Sequence, residues 1–171
     1  MRRNAGLTGF SPCLGYLLSD SDIMPRRDTT HHIIKQALVK EGWEITDDPY
    51  VISYGERFLF IDLGVGRSRF LSQQKGYIIG VERDRTRIAI EIKEFRGLSA
   101  MADLEQAIGQ YSLYKLLLNQ VDPGREIYLG VTDITYETIF SEQIGKLVIN
   151  ELPLNLLVVD ATTAEVKQWI P

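Results

Sequence analysis

The sequence predicts an α/β protein with a mixed β-sheet core flanked by helices. Two observations carry this. Short apolar runs with period-two alternation are separated by Gly, Pro and Asp turn signals, and two stretches of helical period sit before and among them. The 171 residues, 44% hydrophobic and 25% charged, suffice for one well-packed core and are few for two, so a single domain is expected.

The elements follow in order. Asp28 or Thr29 caps a first helix, with His32, Ile33, Gln36, Ala37 and Lys40 at three- and four-residue spacing until Gly42 ends it. Trp43 and Ile45 begin an extended return, and residues 47–49, DDP, make a turn. YVISY and RFLFIDLG then read as strands joined at Gly55. The second is apolar on both faces, which predicts a central strand. Residues 64–76, GVGRSRFLSQQKG, read as a flexible loop, and YIIGVE and RIAIEIKEF as a hairpin-like pair or one interrupted strand. A long helix spans Ser99 to Asn119, with Ser99 as its N-cap and Leu104, Ala107, Ile108, Tyr111 and Leu118 on its apolar side. EIYLGVT is a strand, Thr135 to Ile149 one broken helix or two short ones, and LNLLVVD the last strand before an amphipathic tail, VKQWIP. Trp43 and Trp169 are expected in the core, because aromatic side chains more often pack than stack on bases.

Composition excludes several classes. A net charge of −4 argues against nucleic-acid binding by bulk positive charge, so any such contact is local or metal-assisted. The lone Cys13 makes no internal disulfide, and the cytoplasm is the expected compartment. No apolar run has the length of a membrane span, and the interrupted N-terminal stretch lacks the pattern of a signal peptide.

One stretch stands apart. In IAIEIKEF, residues 88–95, Ile88, Ile90 and Ile92 mark one strand face, while Glu91 and Lys93 share the other. Asp62 closes the earlier apolar strand. If the two strands are neighbours, two carboxylates and a lysine converge at the end of the sheet. Two buried like charges raise each other's pKa, and a divalent cation removes that cost. Asp62, Glu91 and the carbonyl of Ile92 are oxygen donors suited to Mg²⁺ or Mn²⁺, with Lys93 placed to orient an attacking water or stabilise a phosphoryl transition state. The plain alternative is a structural ion pair, such as Asp62–Lys93 within an interaction module, since charges at sheet ends usually pair or meet solvent.

The long helix adds a polar stripe of Asp103, Gln106, Gln110 and Tyr114 where a solvated face would carry Glu and Lys. Q-x-x-x-Y after a D…E-x-K signature resembles the PD-(D/E)XK nuclease superfamily. The ordered segments MPRRDTTHHIIKQAL, EGWEIT, FIDLG, IAIEIK, DLEQAIGQYSLY and QWIP together resemble the XisH family of excision-controlling factors, over nearly all of residues 24–171. The resemblance implies a restriction-endonuclease-like fold and a role, with a site-specific recombinase and an XisI-like protein, in programmed excision of a DNA element. It places Asp62, Glu91 and Lys93 on the superfamily's metal and catalytic positions and Gln110 on its accessory helix position. Two departures stand out. Residues 64–76 look like an insertion, carrying DNA contacts through Arg67, Arg69 and Lys75 or forming an idle surface loop. His31 matches the family's histidine where related nucleases have an acidic ligand; metal ligand, phosphate contact and helix cap all stay open. The leading reading is an endonuclease acting in excision, and its rival is a catalytically inactive accessory protein that binds DNA or an XisI-like partner. The YVISY hairpin or a C-terminal edge strand is a candidate homodimer contact.

Residues 1–23 show no clear period, whereas helical period begins abruptly after Met24, so they read as a disordered leader or an upstream start. A truncation beginning at Met24 is expected to keep its solubility and melting temperature. A drop of more than about 3 °C, roughly 1 kcal/mol for a domain of this size, would show that the leader belongs to the fold.

Overall fold

A computed structural model of the chain describes residues 27–68 and 85–171. The readings of residues 1–23, Cys13, Arg69, Lys75 and YIIGVE lie outside the described residues. The elements run α1 (Arg27–Lys40), β1 (Glu44–Asp47), β2 (Tyr50–Tyr54), β3 (Arg57–Ile61), β4 (Leu63–Ser68), β5 (Arg85–Ile92), α2 (Ala100–Val121), β6 (Arg125–Thr132), a short α3 (Asp133–Thr135) continuing into a π-helical turn (Tyr136–Phe140), α4 (Gln143–Glu151), β7 (Leu156–Val159) and β8 (Val166–Ile170).

Six strands form one mixed sheet in the order β1-β4-β5-β6-β7-β8, and β2 and β3 form a separate hairpin. The parallel pairs are β5 with β6 and β6 with β7; the others in the sheet are antiparallel. The expected α/β architecture of a mixed sheet flanked by helices is therefore present. Alternation on β5 divides the core in two. Ile88 and Ile90 pack with Ile34, Ala37 and Leu38 of α1, whereas Ala89 joins Leu104, Ala107 and Tyr111 of α2 on the opposite face. Glu91 follows the Ala89 parity and so belongs to the α2 face.

Helix boundaries have local causes. At the end of α1, Gly42 adopts φ +87°, Trp43 N–H donates to Leu38 O at 2.9 Å and Gly42 N–H to Val39 O at 3.0 Å, a glycine-terminated Schellman cap. Ser99 caps α2 by accepting from Ala102 N–H at 3.3 Å. Tyr111 anchors α2 to the sheet through its buried hydroxyl, which donates to Ile127 O at 3.2 Å and accepts from Asn155 N–H at 3.0 Å. Burial pushes that phenol up to about 12. Among the described residues no helix is long and apolar enough to cross a membrane.

Three expectations need correction. RFLFIDLG is not one central strand: it bends at Asp62, β3 pairs only with β2, and Phe58 and Phe60 face solvent. A carboxylate inside an unbroken buried strand would lose its hydration without compensation, and the bend gives it a partner instead. Residues 64–68 are not loop but most of β4, paired with β5 from Leu63–Ile90 to Ser68–Arg85. The tail after LNLLVVD forms the edge strand β8, antiparallel to β7, its turn held by Asp160 Oδ1, which accepts from Thr162 N–H and Thr163 N–H at 2.8 Å each. The broken helix over 135–149 is present, with the π turn as the break.

Gly64 shows how tightly the Asp62 region is packed. A Cβ there would lie 2.7 Å from Asp47 Oδ2 and 3.1 Å from the Tyr50 ring, whose hydroxyl reaches Asp122 Oδ2 at 3.2 Å. Gly64→Ala is expected to lower stability by about 1–3 kcal/mol in urea unfolding, through overpacking rather than through φ. An unchanged midpoint would show that Asp47 and Tyr50 move aside freely.

Candidate functional site

The site is built where β4 begins and β5 ends. The pair Leu63–Ile90 is the last of the β4–β5 ladder, so Asp62, one residue earlier, stands beside the end of β5. Its carboxylate turns to that end: Asp62 Oδ2 accepts the Ile92 N–H at 2.7 Å, a short charge-assisted bond. Strand geometry points the Ile92 carbonyl to the same side as its N–H, toward the Asp62 carboxylate. On the other side of β5, Lys93 N–H donates to Gly130 O at 3.0 Å, which fixes the backbone one residue past the strand.

Glu91 and Lys93 share the α2 face, as alternation requires. Glu91 is only 4% exposed, and its Oε1 lies 2.8 Å from Lys93 Nζ. The ion pair is therefore Glu91–Lys93, not Asp62–Lys93. A carboxylate this buried needs such a partner, because desolvation alone would cost several kcal/mol. Asp62 is half-buried and needs less.

Helix α2 closes the site from one face. Gln110 and Tyr114, one turn apart, are hydrogen-bonded, with the Tyr114 hydroxyl as acceptor. The Tyr114 phenol is held above its ordinary range by burial first, then by the negative charges of Glu91 and Asp62, which places the ring beside both carboxylates. With its amide N–H turned to Tyr114, Gln110 keeps a buried Oε1 that has no hydrogen-bond partner among the described residues. An orphaned buried acceptor costs about 1–3 kcal/mol and is suited to a donor or cation arriving at the site.

The structure thus brings together Asp62, Glu91, Ile92, Lys93, Gln110 and Tyr114. It does not bring in the rest of the polar stripe: Asp103 instead accepts from Gly97 N–H at 2.6 Å, clamping the β5–α2 loop, and Gln106 faces solvent. His31 points elsewhere, its Nε2 3.0 Å from Asp48 Oδ1, where Lys35 also binds Asp48 at 2.6 Å. Arg67 lies on β4 with its guanidinium 5.1 Å from the centroid of the Trp43 ring. Sequence reasoning passed over Glu94, whose Oε2 pairs with Arg96 at 3.1 Å while its Oε1 is buried without a hydrogen-bond partner among the described residues. Its one signal was its place directly after Lys93. Among the described residues no group of three or more His, Cys, Asp or Glu side chains is arranged to hold a metal. The donors present are two carboxylates, a backbone carbonyl and the Gln110 amide oxygen, a set that fits Mg²⁺, which keeps much of its water.

The profile of the family described as XisH protein matches residues 24–167. The chain belongs to the XisH family. Two crystal structures share its architecture. An XisH family protein from Nostoc punctiforme PCC 73102 is 32% identical, with TM-score 0.71, covering 84% of this chain and 100% of its own. A fdxN element excision controlling factor protein from Anabaena variabilis is 34% identical, with TM-score 0.69, covering 85% of this chain and 100% of its own. A search of curated proteins gives no match. The resemblance read from the sequence segments is thus borne out at the level of the XisH family.

The buried pair makes a stability prediction. Lys93→Met removes the ammonium that faces the buried Glu91 carboxylate and is expected to cost about 3 kcal/mol at pH 7, whereas Glu91→Gln with Lys93→Met costs less than the single change. Urea unfolding of the three variants measures this. A double variant as unstable as the sum of the two singles would mean that the pair is not coupled.

Proposed function

We propose that this XisH chain acts in programmed excision of a DNA element and carries a divalent-metal-dependent endonuclease-type site. The observation that supports this best is the convergence of Asp62, Glu91 and Lys93 under Gln110, with an unsatisfied amide oxygen in the cluster. Its kinship to a protein described as a fdxN element excision controlling factor supports the biological context. Asp62, Glu91 and the Ile92 carbonyl would hold Mg²⁺ or Mn²⁺. When bound, the cation neutralises phosphodiester charge and acidifies a water at neutral pH. Lys93 Nζ orients that water or counters the charge that develops on the phosphoryl oxygens, and Glu91 holds the ammonium in position. Gln110 steadies the cluster through its free oxygen, and Tyr114 excludes solvent. DNA is the substrate, and the work is shared with an XisI-like protein and a site-specific recombinase.

A second reading has its own support. Lys93 and the Ile92 N–H already give each carboxylate a partner within the chain, so the cluster holds together with no cation and serves equally as a structural clamp. In that case the chain is a non-catalytic accessory protein that keeps the fold to bind DNA or an XisI-like partner.

Cleavage of supercoiled and branched DNA with Mg²⁺ or Mn²⁺ separates the two. Wild type is expected to cut, and Glu91→Ala and Lys93→Ala to lose at least about 100-fold in rate. Equal traces of cutting in all three would mark a contaminant and sink the enzymatic reading. The accessory reading expects co-purification with an XisI-like protein that persists in Glu91→Ala.

A further inference from the structure

The loop that carries the chain from β5 into α2, residues 93–99, is pinned along its length. Lys93 N–H donates to Gly130 O at 3.0 Å at its start, Gly97 N–H to Asp103 Oδ2 at 2.6 Å near its end, and Ser99 caps the helix that follows. Between these ties Phe95 adopts φ +50°, a left-handed conformation that a bulky aromatic rarely takes, and its ring packs edge-on against the buried Phe140 at 5.6 Å. Backbone outliers of this kind persist only where the surroundings over-determine them, and they cluster at ligand-binding segments. The residue that this turn presents is Arg96.

Arg96 is held by one edge. Its Nε lies 3.1 Å from Glu94 Oε2, while Glu94 Oε1 is buried with no hydrogen-bond partner among the described residues. The carboxylate therefore makes a single contact, to Nε, and the two terminal amino groups of the guanidinium have no partner among the described residues. The Glu94 side chain is 16% exposed and that of Arg96 48%, so the anchor is sunk in the protein and the cation it holds meets water. An ordinary surface pair keeps both carboxylate oxygens hydrated; here one has given up its water. The product is an arginine fixed at Nε with four N–H donors uncommitted, a fork that matches a phosphate.

We infer that Arg96 binds a backbone phosphate of the DNA that enters the candidate site, with Glu94 as its positioning residue. The inference rests on the reading of the end of β5 as a DNA site. The three residues from Lys93 to Arg96 span at most about 10 Å. Successive phosphates of one strand rise by about 3.4 Å, so the phosphate taken by Arg96 lies within a few nucleotides of one held against Lys93. Of the two cations between β5 and α2, Lys93 is turned to the buried Glu91, and Arg96 is the one left to meet a strand. A chain of net charge −4 lacks the broad cationic surface that non-specific DNA binding uses, so local contacts of this kind carry the affinity.

The test is the anisotropy of a fluorescein-labelled duplex titrated with the full chain in Ca²⁺, from about 50 to about 200 mM KCl. Arg96→Gln should raise Kd about 10-fold at the lowest salt and flatten the slope of log K against log[KCl] by about 0.9, one phosphate contact. Arg96→Lys should keep the slope and regain only part of the affinity, because an ammonium has no Nε edge for Glu94 to hold. After Glu94→Gln, the change Arg96→Gln should cost at least about 3-fold less than it does in wild type. A merely structural pair would lower the melting temperature and leave the slope alone, and that result overturns the inference. So does a wild type that binds no duplex, and so does Arg96→Gln that spares the duplex but weakens binding of an XisI-like protein, since the guanidinium would then meet a carboxylate. Cleavage of the same duplex in Mg²⁺ is read separately. A slope change at Arg96 with no cutting supports this inference while sinking the enzymatic reading, and cutting with no slope change does the reverse.

Discussion

The hydrogen bond from Ile92 N–H to Asp62 Oδ2, at 2.7 Å, is the constraint on which the rest of the structure turns. It converts one apolar run into two strands of different fate. Upstream of Asp62 the chain folds as a hairpin outside the sheet; downstream it enters the sheet beside β5. The same bond stitches the start of β4 to the end of β5 just where their ladder runs out. The position of the carboxylate is therefore a by-product of how the sheet starts, and the candidate site inherits the rigidity of the core.

Helix α2 completes that arrangement by serving two masters. Leu104, Ala107 and Tyr111 press it onto the sheet and the hairpin, while Gln110 and Tyr114 reach the acidic cluster. A helix devoted only to packing would place apolar side chains where these two stand. Here hydrophobic burial holds the amide and the phenol in register with Glu91, and the unsatisfied Gln110 oxygen is the part of the arrangement that packing leaves uncompensated. Stability and chemistry share one element, so a change at Ala107 or Tyr111 is felt at Gln110.

Much of this was legible in the sequence because strand alternation is rigid. Glu91 at the end of β5 and Lys93 just past it are two apart along an extended run, so their shared face follows from geometry; Gln110 and Tyr114 are four apart on a helix and share a side for the same kind of reason. Ser99 as a cap and Gly42 as a terminator follow from backbone chemistry. What escaped was long-range or side-chain-directed. That Asp62 would break RFLFIDLG depended on the Ile92 N–H thirty residues away, which no local pattern encodes. The run looked central because both its faces are apolar, and an uncovered hairpin face produces the same pattern as burial in a sheet. Gly64 and Gly66 suggested a loop, yet they lie in β4, where Gly64 makes room for Asp47 and Tyr50. His31 carried a family expectation, but the turn at Asp48 claims it.

The cap at the end of α1 reaches further than the helix it ends. Glu41, held there, accepts the indole N–H of Trp43 at 3.1 Å and that of Trp169 at 3.2 Å, and the two rings lie 5.8 Å apart, Trp169 stacking edge-on with Tyr128. These are both tryptophans of the chain. Ring contacts across 126 positions of sequence, 169 minus 43, close only when the first helix has met the last strand. Tryptophan fluorescence therefore reads one event in this protein, the joining of the segment that caps its first helix to its last strand, and reports nothing directly of the acidic cluster at the end of β5.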